Sequence, residues 1–269
     1  METEKKPTVS YFRRKKEKQE KIVILTAYDA TFARFARESG IEVLLVGDSM
    51  GNTVLGYDNT IPVTLEQSLD RCAAVRRGAP KAFVIGDMPF MTYQADPAEA
   101  LHNAARYLKE AGADAIKLEG SAAATAALIR QMVAAGIPVM AHIGLMPQQV
   151  LVAGGYRLAG KTEDAARRLI VEAQELEAAG VFAIVLECIP AEVSREITAA
   201  VGVPTIGIGA GKYCDGQVQV VHDLLGLGSD FLPKHAKRYV ELGSQIKQAF
   251  RTYAAEVREQ EFPGEANSF

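Results

Sequence analysis

Charged residues follow the ends of several short apolar segments of this chain, and their types and spacing suit metal chemistry. Asp48 and Asp87 each come directly after aliphatic residues and one glycine, and Glu187 ends another apolar run. Lys117 and Glu119 lie two positions apart, which places them on one face of a strand. Charges buried without partners are costly, so this cluster needs a counter-ion. A divalent cation held by two Asp would supply it, and oxygen ligands without a His or Cys cluster indicate Mg²⁺.

Each residue also has a simpler explanation. A single Asp after a strand is often the N-cap of the next helix, and Asp96 before Pro97 fits that pattern. The repeated Gly-Asp ends, taken with the other charged residues, favour a functional cluster instead. For His142, which follows a strand-like segment, a position facing the pocket and a structural role both remain open. Cys188 is expected to be an inert thiol.

The elements that must position these residues are short apolar runs separated by helical patterns. Most runs are apolar throughout, which is typical of parallel strands covered by helices. About eight strands without a Pro- or Ser-rich linker favour one (β/α)₈ TIM barrel, in which the carboxyl ends of all strands open onto one face. An open doubly wound sheet is the alternative. The predicted strands cover residues 22–26, 43–47, 82–86, 115–118, 139–142, 183–186, 205–208 and 218–222.

The helical patterns complete this organisation. Amphipathic helices are predicted over 64–77, 97–111 and 163–179, and a long C-terminal helix over 236–258 has apolar residues at steps of three and four. We predict one catalytic domain over residues 1–269, with tails at 1–7 and 260–269 and an N-terminal helix.

Composition excludes several classes of protein. The 269 residues are 48% hydrophobic and carry 30 Lys and Arg against 33 Asp and Glu, a net charge of −3, which is unlike a disordered chain. No global positive charge attracts nucleic acid or an anionic membrane. No apolar run has the length of a membrane span. Three cysteines without metal-type spacing suit a reducing compartment, so the sequence predicts a cytoplasmic enzyme acting on small molecules.

Ten short motifs occur in order along the chain. They are LTAYD at 25–29, VGDSMG at 46–51, PVT at 62–64, GDMPF at 86–90, IKLEG at 116–120, HIGLMPQ at 142–148, GGY at 154–156, LECIP at 186–190, TIGIGAG at 205–211 and DGQV at 215–218. Taken in this order, these motifs resemble those of the ketopantoate hydroxymethyltransferase family. The resemblance runs from about residue 8 to the Phe-Pro-Gly-Glu tail. One departure is Met146, which stands where this family commonly has Thr.

This resemblance implies a fold, a reaction and an assembly. The fold is a TIM barrel of the phosphoenolpyruvate/pyruvate-binding type with one Mg²⁺ per subunit, commonly assembled as a homodecamer. The reaction transfers a hydroxymethyl group from 5,10-methylenetetrahydrofolate to 3-methyl-2-oxobutanoate and forms 2-dehydropantoate (ketopantoate). It is the first committed step of pantothenate and coenzyme A biosynthesis.

The resemblance also implies roles for individual residues. Asp48 and Asp87 match the metal ligands, with Glu119 in the outer shell of the metal, and Glu187 matches the general base that deprotonates the keto acid at C3. Four side chains match the groups that bind the keto acid: Asp48, Ser49, Asp87 and Lys117.

Two other functions remain as alternatives. One is a C–C lyase of the isocitrate lyase or phosphonopyruvate type, which shares the barrel and a metal-bound 2-oxo acid. Such lyases carry a Lys-Lys-Cys-Gly-His loop, and that string does not occur in this sequence. The other is a catalytically silent barrel scaffold, against which the intact set of charged residues argues.

Overall fold

Eight parallel strands in residues 1–220 close into a barrel in which each strand pairs with its neighbours in the sequence and β8 pairs with β1. The computed structural model describes residues 5–120, 123–228 and 232–269. This topology confirms the predicted barrel over the open sheet. The strands are β1 Ile22–Thr26, β2 Val43–Val46, β3 Phe83–Asp87, β4 Ala115–Glu119, β5 Val139–Gly144, β6 Ala183–Glu187, β7 Thr205–Ile208 and β8 Gly216–Gln219.

The prediction of the last strand is wrong at both ends. The sequence predicts an extended segment over 218–222, but β8 runs from Gly216 to Gln219 and helix α10 begins at Val221. The aliphatic pair at 220 and 221 continues the apolar pattern of β8, so periodicity alone does not mark the boundary.

Helices alternate with the strands, and α5 begins at the N-cap that the sequence predicts, Asp96. Asp29, Asp96 and Thr162 accept hydrogen bonds from first-turn amides, and Thr64 forms a capping box with Gln67. The helices are α1 Val9–Glu17, α2 Ala30–Glu38, α3 Met50–Thr53, α4 Leu65–Gly78, α5 Pro97–Lys109, α6 Ala123–Ala134, α7 Val150–Ala153, α8 Glu163–Ala178, α9 Ala191–Ala200, α10 Val221–Leu225 and α11 Leu242–Arg258.

The interior of the barrel is filled by alternate residues of the strands, as the period of two requires. Its core includes Phe83 and Ile85 of β3 and Ala183 and Val185 of β6. Below them, Phe12 of α1 is fully buried, with its ring centroid 5.1 Å from that of Phe83 and 4.8 Å from that of Phe182. The interior of the barrel is therefore apolar, and it is packed against Phe12 of α1. Polar groups can then be expected at the carboxyl ends of the strands.

Residues 221–269 form a second compact unit that contains α10 and α11. Helix α11 begins at Leu242, six residues later than the predicted start at 236, so Tyr239 precedes it. Within this unit the rings of Tyr253 and Phe262 pack edge to face at 5.6 Å. The predicted single domain over 1–269 stays a prediction, and residues 1–4 of its N-terminal tail lie outside the described part. Among the described residues, no helix has the length and apolar character needed to cross a membrane.

Candidate active site

The inward-facing positions of four neighbouring strands end in charged residues. In β3 the buried ladder 83, 85 continues to Asp87, and in β6 the ladder 183, 185 continues to Glu187. Strand register then sets the neighbours, because Asp87 pairs with Lys117 and Glu119 pairs with His142. The apolar interior of the barrel is thus capped by a layer of titratable groups at the carboxyl ends of the strands.

The glycines before the two aspartates allow close packing around the site. A Cβ on Gly86 would lie 2.2 Å from the ring of Tyr107 in α5. The space lets the Tyr107 hydroxyl donate to the Asp87 carbonyl at 2.8 Å. A Cβ on Gly47 would lie 2.9 Å from Ser49 Oγ, and that hydroxyl shares a 2.9 Å hydrogen bond with Tyr28 Oη. Both glycines therefore let the backbone pass beside groups that hold the site.

Lys117 and Asp87 form the central ion pair of the cluster. The ammonium donates to both Asp87 carboxylate oxygens, at 2.8 and 2.9 Å, and lies 3.7 Å from Glu119 Oε1. The backbone N–H of Asp48 donates to Asp87 Oδ2 at 3.2 Å. Lys117 is 4% exposed. Burial acts to lower the pKa of Lys117, but Asp87, Glu119 and Asp48 outweigh it and raise that pKa above its usual value, so the ammonium stays charged.

The cluster holds more negative than positive charge. Asp48, Asp87 and Glu119 are all at most 5% exposed, and Lys117 offsets one of these three carboxylates. Burial and the neighbouring carboxylates raise the pKa of Asp48 well above its usual range, and burial likewise raises that of Asp87 despite the Lys117 ammonium. Glu119 Oε1 is buried without a hydrogen-bond partner. A divalent cation fits this donor set, because it would offset the remaining charge.

In residues 5–120, 123–228 and 232–269, no group of three or more His, Cys, Asp and Glu side chains is placed to hold a metal ion. Mg²⁺ is usually held by one or two carboxylates and completes its shell with waters and substrate oxygens. Asp48 and Asp87 are the residues that would hold it directly.

His142 lies between two glutamates. Its Nδ1 is 3.4 Å from Glu119 Oε1 and its Nε2 is 3.2 Å from Glu187 Oε2, although neither contact has the linear geometry of a hydrogen bond. Burial and Lys117 disfavour the imidazolium, but the two glutamates outweigh them and raise the pKa of His142 to about 9. Burial acts to raise the pKa of Glu119, but His142 and Lys117 outweigh it and hold that pKa below its usual range.

The charge on His142 predicts a pH dependence of stability. Because its folded-state pKa of about 9 lies above the ordinary value of about 6.5, the imidazolium stabilises the fold fully below about pH 6.5. This contribution, up to about 3 kcal/mol, is lost as the pH rises through about 9. The difference in unfolding free energy between the unchanged protein and His142→Phe should therefore shrink from pH 6.5 to 9.5, measured by urea titration. His102→Phe, at an exposed position of α5, is the control variant. A constant difference for His142→Phe would contradict the assignment.

A cavity of about 700 Å³ borders the cluster, within the range of small-molecule sites. Glu119 and Gln148 of the cluster are among its lining residues, and Phe90 and Tyr93 contribute aromatic surface. Arg168 of α8 also lines it.

The structure brings all six predicted site residues to one end of the barrel. Glu187 joins the others through His142, and its side chain is 17% exposed. Two further residues belong to the cluster. The sequence leaves the orientation of His142 open, because only the pairing of β4 with β5 places it beside Glu119. Gln148 has no role in the sequence prediction, although it lies in the matching segment 142–148.

Comparison with solved structures supports the barrel type. Phosphoenolpyruvate phosphomutase from Streptomyces platensis subsp. rosaceus matches with a TM-score of 0.64 at 14% identity, covering 94% of this chain and 88% of that one. A 2,3-dimethylmalate lyase, described as a PEP mutase/isocitrate lyase superfamily member, matches with a TM-score of 0.60 at 18% identity, covering 95% and 89%. At these identities the likeness establishes the fold alone, and it confirms the predicted barrel.

Comparison of sequences gives a closer relationship. The protein named 3-methyl-2-oxobutanoate hydroxymethyltransferase from Carboxydothermus hydrogenoformans is 54% identical over 97% of this chain and 95% of its own length. The protein of the same name from Heliobacterium modesticaldum is 49% identical over 98% and 96%. The family model described as ketopantoate hydroxymethyltransferase matches residues 6–265. The chain therefore belongs to the ketopantoate hydroxymethyltransferase family.

Proposed function

We propose that this chain transfers a hydroxymethyl group from 5,10-methylenetetrahydrofolate to 3-methyl-2-oxobutanoate, with the keto acid bound at a Mg²⁺ ion beside Asp48 and Asp87. Family membership makes the chain a hydroxymethyltransferase that forms ketopantoate. The observation that supports the proposed site is the convergence of three buried carboxylates and one ammonium beside Glu187. The lyase alternative has the likeness of fold in its favour, whereas the close relatives carry the transferase name.

The reaction begins with removal of the C3 proton of the keto acid. Glu187 accepts that proton, and His142 beside it orients the carboxylate. When bound, a divalent cation would supply Lewis-acid polarisation of the 2-oxo oxygen. The Lys117 ammonium stabilises the negative charge that develops on the same oxygen. Ser49, held by Tyr28, is placed to donate a hydrogen bond to the keto acid.

The enolate then forms a carbon–carbon bond with the methylene carbon of the folate. The C3–H bond breaks with its proton on Glu187, and the bonds from the methylene carbon to the folate nitrogens are lost. Overall, one water is consumed, its oxygen becomes the new hydroxyl group, and tetrahydrofolate is released. The test is an assay for ketopantoate and tetrahydrofolate formed in equal amounts, which must stop when the metal is chelated. Cleavage of the keto acid without a folate requirement would instead support the lyase.

Asp87→Asn should weaken metal-dependent binding of the keto acid. A neutral amide is a poorer ligand for a hard cation than a carboxylate, so the Mg²⁺ concentration needed for half-maximal keto-acid binding should rise at least about tenfold. Isothermal titration with 3-methyl-2-oxobutanoate at a series of Mg²⁺ concentrations would measure it. Asp70→Asn, at an exposed position of α4, is the control. Unchanged metal dependence would remove Asp87 as a ligand.

We further propose that the enzyme works in the cytoplasm as a homodecamer. The family resemblance implies this assembly, and sedimentation equilibrium of the purified chain would test it. A mass other than ten times that of one chain would contradict the assembly.

A further inference from the structure

Gln148 is the middle residue of the 3₁₀ turn Pro147–Gln149, which follows β5. Its side chain is 3% exposed, although it carries four hydrogen-bonding positions. A buried carboxamide is costly unless these positions are satisfied, so its partners show what it does.

The carboxamide nitrogen of Gln148 has two acceptors. Nε2 donates to Asp48 Oδ2 at 3.0 Å and to the carbonyl oxygen of Met88 at 2.9 Å. The second contact comes from the residue directly after Asp87. The side chain of Gln148 therefore connects the segments that follow β2 and β3, the two strands whose ends supply the proposed metal ligands.

The carboxamide oxygen of Gln148 has two donors. Oε1 accepts from Tyr93 Oη at 2.8 Å and from Gln94 Nε2 at 3.2 Å. Tyr93 is itself fixed, because its hydroxyl accepts from the backbone N–H of Glu119 at 3.0 Å. An inverted amide would set its oxygen against the carbonyl oxygen of Met88, which has no proton to donate. The surroundings thus allow one orientation of the amide.

The backbone of Gln148 contacts a second carboxylate of the cluster. Its N–H donates to Glu119 Oε2 at 3.2 Å. One residue therefore donates to one oxygen of Asp48 and one oxygen of Glu119, and it leaves Asp48 Oδ1 and Glu119 Oε1 outside its contacts. Outer groups that hold a ligand in this way commonly set both its direction and its affinity for metal.

We propose that Gln148 is a positioning residue that fixes the Asp48 carboxylate for the divalent cation, with Tyr93 and Gln94 orienting its amide. This inference rests on the proposed function, because it assumes the metal site at Asp48 and Asp87. Gln148 acts through Asp48 and takes no part in the proton transfer.

The test is the affinity of the protein for Mn²⁺ without keto acid or folate, measured from the electron paramagnetic resonance signal of the uncomplexed ion. Gln148→Met keeps the length of the side chain but removes both donors, so the Mn²⁺ dissociation constant should rise about 10- to 100-fold. Tyr93→Phe removes one of the two donors to the amide oxygen of Gln148, so it should raise the Mn²⁺ dissociation constant by a smaller factor. Gln149→Met, at the exposed neighbouring position, should leave it unchanged.

Kinetics separate positioning from general structural damage. In Gln148→Met the Mg²⁺ concentration for half-maximal activity should rise by the same 10- to 100-fold, while kcat at saturating Mg²⁺ should stay within about threefold of the unchanged enzyme. A Mn²⁺ dissociation constant equal to that of the unchanged protein would overturn the role of Gln148 and leave the proposed function intact. A loss of kcat that saturating Mg²⁺ does not restore would also overturn it. Absence of Mn²⁺ binding by the unchanged protein would overturn both.

Discussion

Glu187→Gln should bind the keto acid and Mg²⁺ normally, yet exchange the C3 proton of 3-methyl-2-oxobutanoate about 10²- to 10⁴-fold more slowly, because loss of a general base typically costs this much. The amide has nearly the shape of the carboxylate but cannot accept the proton. Proton nuclear magnetic resonance in deuterated water follows the C3 signal directly. Isothermal titration measures the binding that should be retained.

The control for this prediction is Glu192→Gln, which changes a side chain that is 60% exposed in α9. Its exchange rate should equal that of the unchanged enzyme. If Glu187→Gln exchanged the C3 proton at the normal rate, another residue would be the base.

Lys117→Met should lower the free energy of unfolding by about 3–5 kcal/mol at neutral pH without metal, as expected when one partner of a buried charge cluster is removed. It would leave Asp48, Asp87 and Glu119 with no ammonium between them. The pKa values of Asp48 and Asp87 are already raised, and they should rise further in the variant. Groups with raised pKa values stabilise the fold in acid and lose that effect as the pH rises. The loss of unfolding free energy caused by Lys117→Met should therefore be smallest near pH 4 and largest above neutrality.

Added Mg²⁺ gives this prediction a second measurement. A ligand that binds the folded state raises the melting temperature, and in Lys117→Met the cation no longer competes with an ammonium. The rise in melting temperature at 10 mM Mg²⁺ should thus be larger for the variant than for the unchanged protein. Lys109→Met, at an exposed position of α5, is the control and should resemble the unchanged protein. If Lys117→Met had the melting temperature of the unchanged protein and added Mg²⁺ did not raise it, the excess of negative charge from which the metal site is inferred would be contradicted.

Much of this arrangement can be predicted from the sequence because it depends on local patterns. Apolar runs of strand length, glycines before Asp48 and Asp87, and the two-residue spacing of Lys117 and Glu119 are visible without coordinates. The parallel barrel then brings the strand ends to one face. The structure confirms the closed barrel that these patterns predict, and the order of its strands.

The remaining features depend on distances between segments that no local pattern specifies. His142 meets Glu119 only through the register of β4 and β5, and Gln148 reaches Asp48 across 100 positions of the chain. The errors at element ends have a local cause. Residues 220–221 continue an apolar pattern into a helix, and Tyr239 fits a helical spacing that begins only at Leu242.

The central claim is that the keto acid loses its C3 proton to a carboxylate while bound at a divalent cation. Its most direct test is the uptake of deuterium at C3 when the unchanged protein is incubated with 3-methyl-2-oxobutanoate in deuterated water. We expect uptake with Mg²⁺ and without tetrahydrofolate, its loss on chelation, and its return when Mg²⁺ is restored. Uptake that continues at the same rate in excess chelator, or none at all with Mg²⁺ present, would contradict the claim.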